Sequence, residues 1–145
     1  MLKINNASKK KKLILYELNE VPIKLINKYI EIKPNSSFQY LLEKGYFTET
    51  ITHDKGELHP WTTWPTLHRG VNNNYHKIQF INQPLNTASK FPPVWDILQQ
   101  NGFKIGVFGS LQSYPPIKSK NVSFYLPDTF SPDDKAYPKI LKDFQ

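Results

Sequence analysis

The sequence predicts an α/β fold with a mainly parallel sheet covered by helices on both faces. Two observations lead there. The first is a pair of short apolar runs, Leu13-Ile-Leu-Tyr-Glu17 and Lys104-Ile-Gly-Val-Phe-Gly109, that read as buried strands. The second is the set of helix-period stretches lying between them, since strands alternating with helices imply parallel pairing with helical crossovers.

Taken in order, Leu13–Glu17 opens the domain as a strand and gives way to the polar run Glu17-Leu-Asn19-Glu20. Pro22 then starts an amphipathic helix through Ile23, Leu25, Ile26, Tyr29 and Ile30, which must end before Pro34. Asn35-Ser36-Ser37 caps a second helix with Phe38, Leu41 and Leu42 on one face and Gly45 as its stop. Tyr46 to Thr52 alternates and is rich in Thr, Ile and aromatics, so a strand is expected. His53 to Trp61 is a loop, and Thr63 to Arg69 a short helix stopped by Gly70. Val71 to Ser89, with four Asn between Asn72 and Asn82, reads as a long irregular excursion of the kind that is often functional. Val94 to Leu98 forms a helix closed by Asn101-Gly102, ahead of the strand at 104–109. Val122 to Tyr125 is a further short strand, and Tyr137 to Phe144 begins another helix. That helical pattern reaches Gln145 without a cap, so the domain is expected to be incomplete. Ligands in such sheets bind at the carboxyl ends of the strands, where Glu17 and Gly109 would lie.

At 145 residues the chain suffices for one compact domain, and 39% hydrophobic residues are enough for a core. No apolar run approaches the length of a membrane span, and mean hydropathy is −0.54. No apolar segment of a secretory leader follows the basic start, so cytoplasmic residence is the default expectation. The absence of Cys excludes thiolate metal sites and Cys nucleophiles. The net charge of +7 leans on one run, Lys9-Lys-Lys-Lys12, so residues 1–12 are read as a basic arm and 13–145 as the domain. Such an arm suits an acidic partner, nucleic acid or an anionic surface, or is simply a solvated terminus. Gly106 and Gly109 do not form a dinucleotide fingerprint, because no third Gly opens a helix after them.

The chemistry concentrates in His59-Pro-Trp-Thr-Thr-Trp-Pro-Thr-Leu-His-Arg-Gly70. Thr63 stands two residues before Pro65, at what reads as a helix entry, because Pro is tolerated in a first turn. Free N–H groups and the helix dipole at such an entry attract phosphate or sulfate. Thr63 is therefore either an N-cap or a nucleophile facing a bound oxyanion, with Thr62 as the alternative register. His53, His59, His68 and His76 lack the spacing of a helical His pair or a compact ligand cluster, and His76 is expected to anchor its turn. Trp61, Trp64 and Trp95 are read as core or as aromatic walls beside the site.

Three features together resemble the N-terminal part of the alkaline phosphatase superfamily, in particular its type I phosphodiesterase/nucleotide pyrophosphatase-like branch. They are the buried strand ending in an acidic residue and then Val21-Pro22, the run Thr63-Trp-Pro65 followed by Gly70 and His76-Lys-Ile78, and Val94-Trp-Asp-Ile-Leu98 through Asn101-Gly-Phe-Lys-Ile-Gly106. The resemblance covers roughly residues 12 to 110. It implies an alkaline phosphatase-like sheet and a metal-dependent hydrolase of phosphomonoesters, phosphodiesters or sulfate esters, or a transferase of phospho-substituents. Thr63 would be the covalent nucleophile. Divalent metal, two Zn2+, would be held by Glu17 or Asn19 together with Thr63, and Asn82 and Gln83 stand where a substrate-contacting amide is often placed. The partner would be a small-molecule phosphate or sulfate ester. The chain departs from the pattern in having Glu17-Leu-Asn19-Glu20 where the family has Asp then Gly, and Lys77 in place of the Gly of a His-Gly-Ile turn. The remaining Asp and His ligands of the family lie further downstream than Gln145. A different class of function, a small basic binding domain for an acidic partner, and an inactive fragment are the competing expectations.

Overall fold

A computed structural model describes residues 12–81 and 83–144. The basic arm, apart from Lys12, and Asn82 lie outside the described residues. The chain divides into two compact units, residues 1–45 and 46–145.

The first unit is a helical hairpin. Helix α1 (Ile23–Ile32) starts after Pro22, and α2 (Ser37–Lys44) starts at the Ser36 cap, whose side chain accepts from the Gln39 N–H at 3.3 Å. Tyr29 of α1 meets Phe38 of α2 edge to face at 5.9 Å, a geometry that aromatic quadrupoles favour. Gly45 ends α2 as expected, for a reason other than handedness. Its φ of −95° is open to any residue, but a Cβ there would stand 2.5 Å from the Leu41 carbonyl oxygen. The segment 13–17 is not a buried strand. It carries no strand pairing, and Leu13 is 87% and Tyr16 79% exposed.

The second unit carries the sheet. After the unpaired segment 46–59 come α3 (Pro60–Arg69), α4 (Asn73–His76), a single 3-10 turn at Ala88–Lys90, α5 (Val94–Gln100), β1 (Ile105–Phe108), β2 (Val122–Leu126) and a 3-10 stretch at Lys139–Phe144. Tyr46 to Thr52 is also not a strand: Tyr46 is 94% and Ile51 83% exposed. Strand propensity describes fitness for a pleated, half-buried surface, and neither apolar segment has a neighbouring strand in this structure to supply that surface.

The strands β1 and β2 are parallel, with Gly106 opposite Phe124 and Val107 opposite Tyr125. On the other side of β2, Tyr125 and Tyr137 exchange both backbone hydrogen bonds in an antiparallel bridge. One face of the sheet packs on α5: Ile105, Val107, Val122 and Tyr125 cluster with Trp95, flanked by Leu98 and Ile117. On the other face Gly106, Phe108 and Phe124 are exposed, while Leu126 at the end of β2 is buried. The expectation of helices on both faces is thus met on one face only among the described residues. What stands is a small α/β arrangement with a two-stranded parallel sheet. No described helix is long and apolar enough to cross a membrane.

The exposed face has one tight contact. A Cβ built on Gly106 would overlap the ring of Phe124. Gly106→Ala should therefore destabilise the unit by about 1–3 kcal/mol, the usual cost of overpacking. The Phe124→Ala background should abolish most of that cost, which a double-mutant cycle of urea midpoints will read.

Candidate functional site

The site is built around α3. Pro60 occupies the first helical position and His59 is the N-cap residue, so the helix begins three residues before the entry expected at Thr63. Pro65 consequently lies inside the helix rather than in its first turn. Its missing N–H leaves the Trp61 carbonyl without the usual partner four residues on. The C-terminus follows expectation, with Gly70 in the left-handed conformation at φ +66° and its N–H on the Thr66 carbonyl.

The two candidate hydroxyls sit in different environments. Thr62 is buried, at 2% exposure, whereas Thr63 is half-buried. The Thr63 hydroxyl donates to the His59 carbonyl at 3.2 Å, and the N–H groups of Thr62 and Thr63 reach the same oxygen at 2.9 and 3.0 Å. Thr63 is therefore no N-cap. It is a helical Thr bonded back by one turn, and its own N–H is already committed within the helix. The His59 ring stacks on Trp61 at 5.1 Å and meets the Glu57 carboxylate at 3.2 Å.

Below Thr63 the helix is anchored by three polar side chains. Thr66 donates to Asp54 Oδ1 at 2.7 Å and lies 3.0 Å from His76 Nε2. Because the Ile78 N–H donates to His76 Nδ1 at 2.9 Å, the proton of the neutral ring belongs on Nε2, pointing at Thr66. Asp54 also takes the Asn73 N–H at 2.7 Å, and the Asn73 amide exchanges two hydrogen bonds with the backbone of Lys55. His76 anchors its turn in this way, and it is fully buried. Burial holds its pKa below the ordinary histidine value, with Asp54 opposing and Arg69 reinforcing the shift. His68, 3% exposed, lies between Trp64 and Trp95 at 5.7 and 4.8 Å and meets the Ser110 hydroxyl, just past β1, at 3.3 Å. Arg69 donates to the carbonyls of Ala88 and Phe91 at 2.9 and 2.6 Å. Burial draws its pKa down, opposed by Tyr125 and Asp96.

The other expected site residues are distributed differently. Glu17 is half-buried and Asn19 exposed in a turn of the first unit, where Glu20 takes φ +55°. Gln83 is a staple of its own loop: its amide oxygen accepts from the N–H groups of Gln79 and Phe80 at 2.7 and 2.9 Å, and its amide nitrogen donates to the Lys77 carbonyl at 2.6 Å. His53 is exposed, and no three His, Asp or Glu side chains among the described residues are grouped so as to hold a metal ion. The described residues therefore do not complete a two-zinc site.

Residues that sequence reading passed over do the positioning. Asp54, Thr66 and Arg69 carry the anchors, and Gln112 and Asp128 line a cavity beyond the carboxyl ends of the strands. Asp128 stands two residues past β2, the position that the strand-end rule marks.

The His76 network makes stability depend on pH. A histidine held neutral in the fold stabilises it fully above the unfolded pKa of about 6.5. That contribution declines as pH falls below that value toward the lowered folded pKa, because the unfolded chain takes up the proton first. Wild type should lose urea resistance relative to His76→Gln as pH falls from 7 through the unfolded value of about 6.5. The variant should be weaker at pH 7 by about 1–3 kcal/mol, having lost a buried donor–acceptor pair. Parallel pH profiles of the urea midpoint for the two proteins check this. Comparison of the chain with protein-family models, with curated proteins and with solved structures found no match.

Proposed function

We propose that this chain is the nucleophile-bearing portion of an alkaline phosphatase-like hydrolase of phosphate or sulfate esters, or of a transferase of phospho-substituents, with Thr63 as the covalent nucleophile. The observation that carries the reading is the contrast between adjacent hydroxyls. Thr62 is sealed at 2% exposure, while Thr63, the position that the Thr-Trp-Pro pattern selects, remains accessible. The position of α3 adds support. Its His68 meets Ser110 just past β1, which puts the helix beside the carboxyl end of a parallel strand, where α/β folds take their ligands.

The substrate is a small-molecule ester. Attack by the Thr63 oxygen on phosphorus or sulfur expels the alcohol and leaves the substituent on Thr63, from which water or a second alcohol removes it. A carbonyl accepts the Thr63 proton in a hydrogen bond but cannot remove it, so an activating group must replace His59 O. Divalent metal, two Zn2+, belongs to this reading, and Glu17 or Asn19 and Thr63 are the ligands that the resemblance implies. Its ligand set extends beyond what the described residues bring together.

In the full-length protein supplied with Zn2+, nitrophenyl phosphate, bis-nitrophenyl phosphate and nitrophenyl sulfate are the substrates to assay. Thr63→Ala should lower turnover of the active one by roughly a thousandfold or more, and Thr63→Ser should retain part of it. Thr62→Val should change turnover little. Unchanged turnover in Thr63→Ala overturns the assignment.

A further inference from the structure

Beyond the carboxyl ends of the parallel strands lies a cavity of about 340 Å³, near the lower end of the roughly 300–1,000 Å³ typical of small-molecule sites. The loop after β1 contributes Gln112, Tyr114 and Pro115, and the loop after β2 contributes Asp128, Phe130 and Ser131. Its walls are fixed by hydrogen bonds. Gln112, held at φ +59°, donates to the carbonyls of Phe80 and Ile81 at 3.3 and 3.1 Å, tying the 77–83 loop to the end of β1. Tyr125 within β2 donates to the Ser113 carbonyl at 2.6 Å, and Asp128 accepts from the Ser113 N–H at 3.4 Å. The two loops are thus braced against each other.

The electrostatics of the lining are one-sided. Among the described residues no Lys or Arg lines the cavity, and Asp128 does so while only 5% exposed. Its hydrogen bonds come from the backbone N–H groups of Phe130, at 2.9 Å, and Ser113. A carboxylate offers about four acceptor positions, so two such bonds leave capacity for a ligand donor. No Lys or Arg among the described residues forms an ion pair with it. Lys135, in the loop that follows, is held by Asp133 at 2.6 Å, donates to the Tyr114 hydroxyl at 3.2 Å and lies over the Tyr114 ring at 5.8 Å. The other lining residues are mostly apolar, with Gln83, Gln112 and Ser131 as polar members, and include the rings of Tyr114 and Phe130; aromatic faces attract cations.

We propose that this cavity is a binding site for a small organic ammonium ion, with Asp128 as counter-ion and the rings of Tyr114 and Phe130 as walls. An anion there meets the Asp128 carboxylate and no Lys or Arg among the described lining residues, and a neutral alkyl group leaves the open acceptor positions of Asp128 unused. The inference stands on the cavity alone and does not depend on the role of Thr63.

Calorimetric titration with choline, with its uncharged carbon isostere dimethylbutanol and with inorganic phosphate tests it. Choline should bind saturably and about tenfold tighter than the isostere, with phosphate not binding. Asp128→Asn should bring choline and the isostere to the same affinity, and Phe130→Leu should weaken choline by about threefold or more. Equal affinity for choline and the isostere in the wild type overturns the proposal, as does tighter binding of phosphate or no saturable choline binding. Asp128 braces a loop, so near-ultraviolet circular dichroism will report whether Asp128→Asn stays folded. If it does not, Phe130→Leu decides, because Phe130 is 55% exposed and its loss leaves the core untouched. Unchanged choline affinity in Phe130→Leu then overturns the assignment.

Discussion

The second half of α3 carries three polar side chains, His68 buried and Thr66 and Arg69 half-buried, and much of the second unit packs around their contacts. Thr66, His68 and Arg69 lie within one turn and point to three different segments. Thr66 engages Asp54 and His76, His68 engages Ser110 and two indoles, and Arg69 engages the carbonyls of Ala88 and Phe91. A buried polar group left without a partner costs about 1–3 kcal/mol, more when charged. Each of the three segments is therefore held to α3 by a penalty as well as by an attraction. The same packing makes an internal proline tolerable. Pro65 forgoes one helical hydrogen bond, a defect worth about 3 kcal/mol in an isolated helix, and is itself among the most deeply buried residues of the chain.

From α3 the constraint passes into the sheet. His68 contacts both Trp95 of α5 and the first residues after β1, so helix, helix and strand end meet at one imidazole. Trp95 in turn packs with Ile105, Val107, Val122 and Tyr125. A two-stranded parallel sheet is too small to be stable by itself. Here it is held by α5 on one face and by the Tyr125–Tyr137 bridge at one edge. Burial pushes the Tyr125 phenol well above its ordinary pKa, so it stays a neutral donor to Ser113. The loops beyond both strand ends acquire their fixed shape through that bond, and the cavity between them is a consequence of how the core closes.

The parts legible from sequence are those whose signal is local. Helices α1, α2 and α5 carry apolar periodicity, and α2 has its Ser36 cap as well. Strands β1 and β2 are short apolar runs bounded by turn residues. Where the signal depends on distant partners, reading fails. Leu13–Glu17 and Tyr46–Thr52 have the composition of strands but no pairing partner here. The expected entry at Thr63 misses the start of α3 because Pro65 suits a first turn as well as Pro60 does, and only tertiary packing explains a proline inside the helix. Gln83 looked like an amide available to a ligand, yet its hydrogen bonds close its own loop. Asp54 and Asp128 belong to no motif that marks them; the partners that tie them into the fold, Thr66 and Ser113, are 12 and 15 residues away in sequence.

The geometry of Thr63 bears on whether a hydroxyl tied to a carbonyl is available for chemistry. A net hydrogen bond contributes about 0.5–1.5 kcal/mol, and the loss is larger when the abandoned partner is buried and unsatisfied. His59 O would not be left in that state. It already accepts the N–H groups of Thr62 and Thr63, so withdrawal of the hydroxyl leaves two donors on an oxygen with two lone pairs. Turning the Thr63 side chain away therefore costs a fraction of what it would cost at a singly bonded acceptor. Thr62 has no comparable freedom, because it is sealed in the packed interior. Backbone bonding of this kind fixes where the Thr63 oxygen rests while leaving it cheap to redirect, which is the condition a nucleophile on a helix must meet.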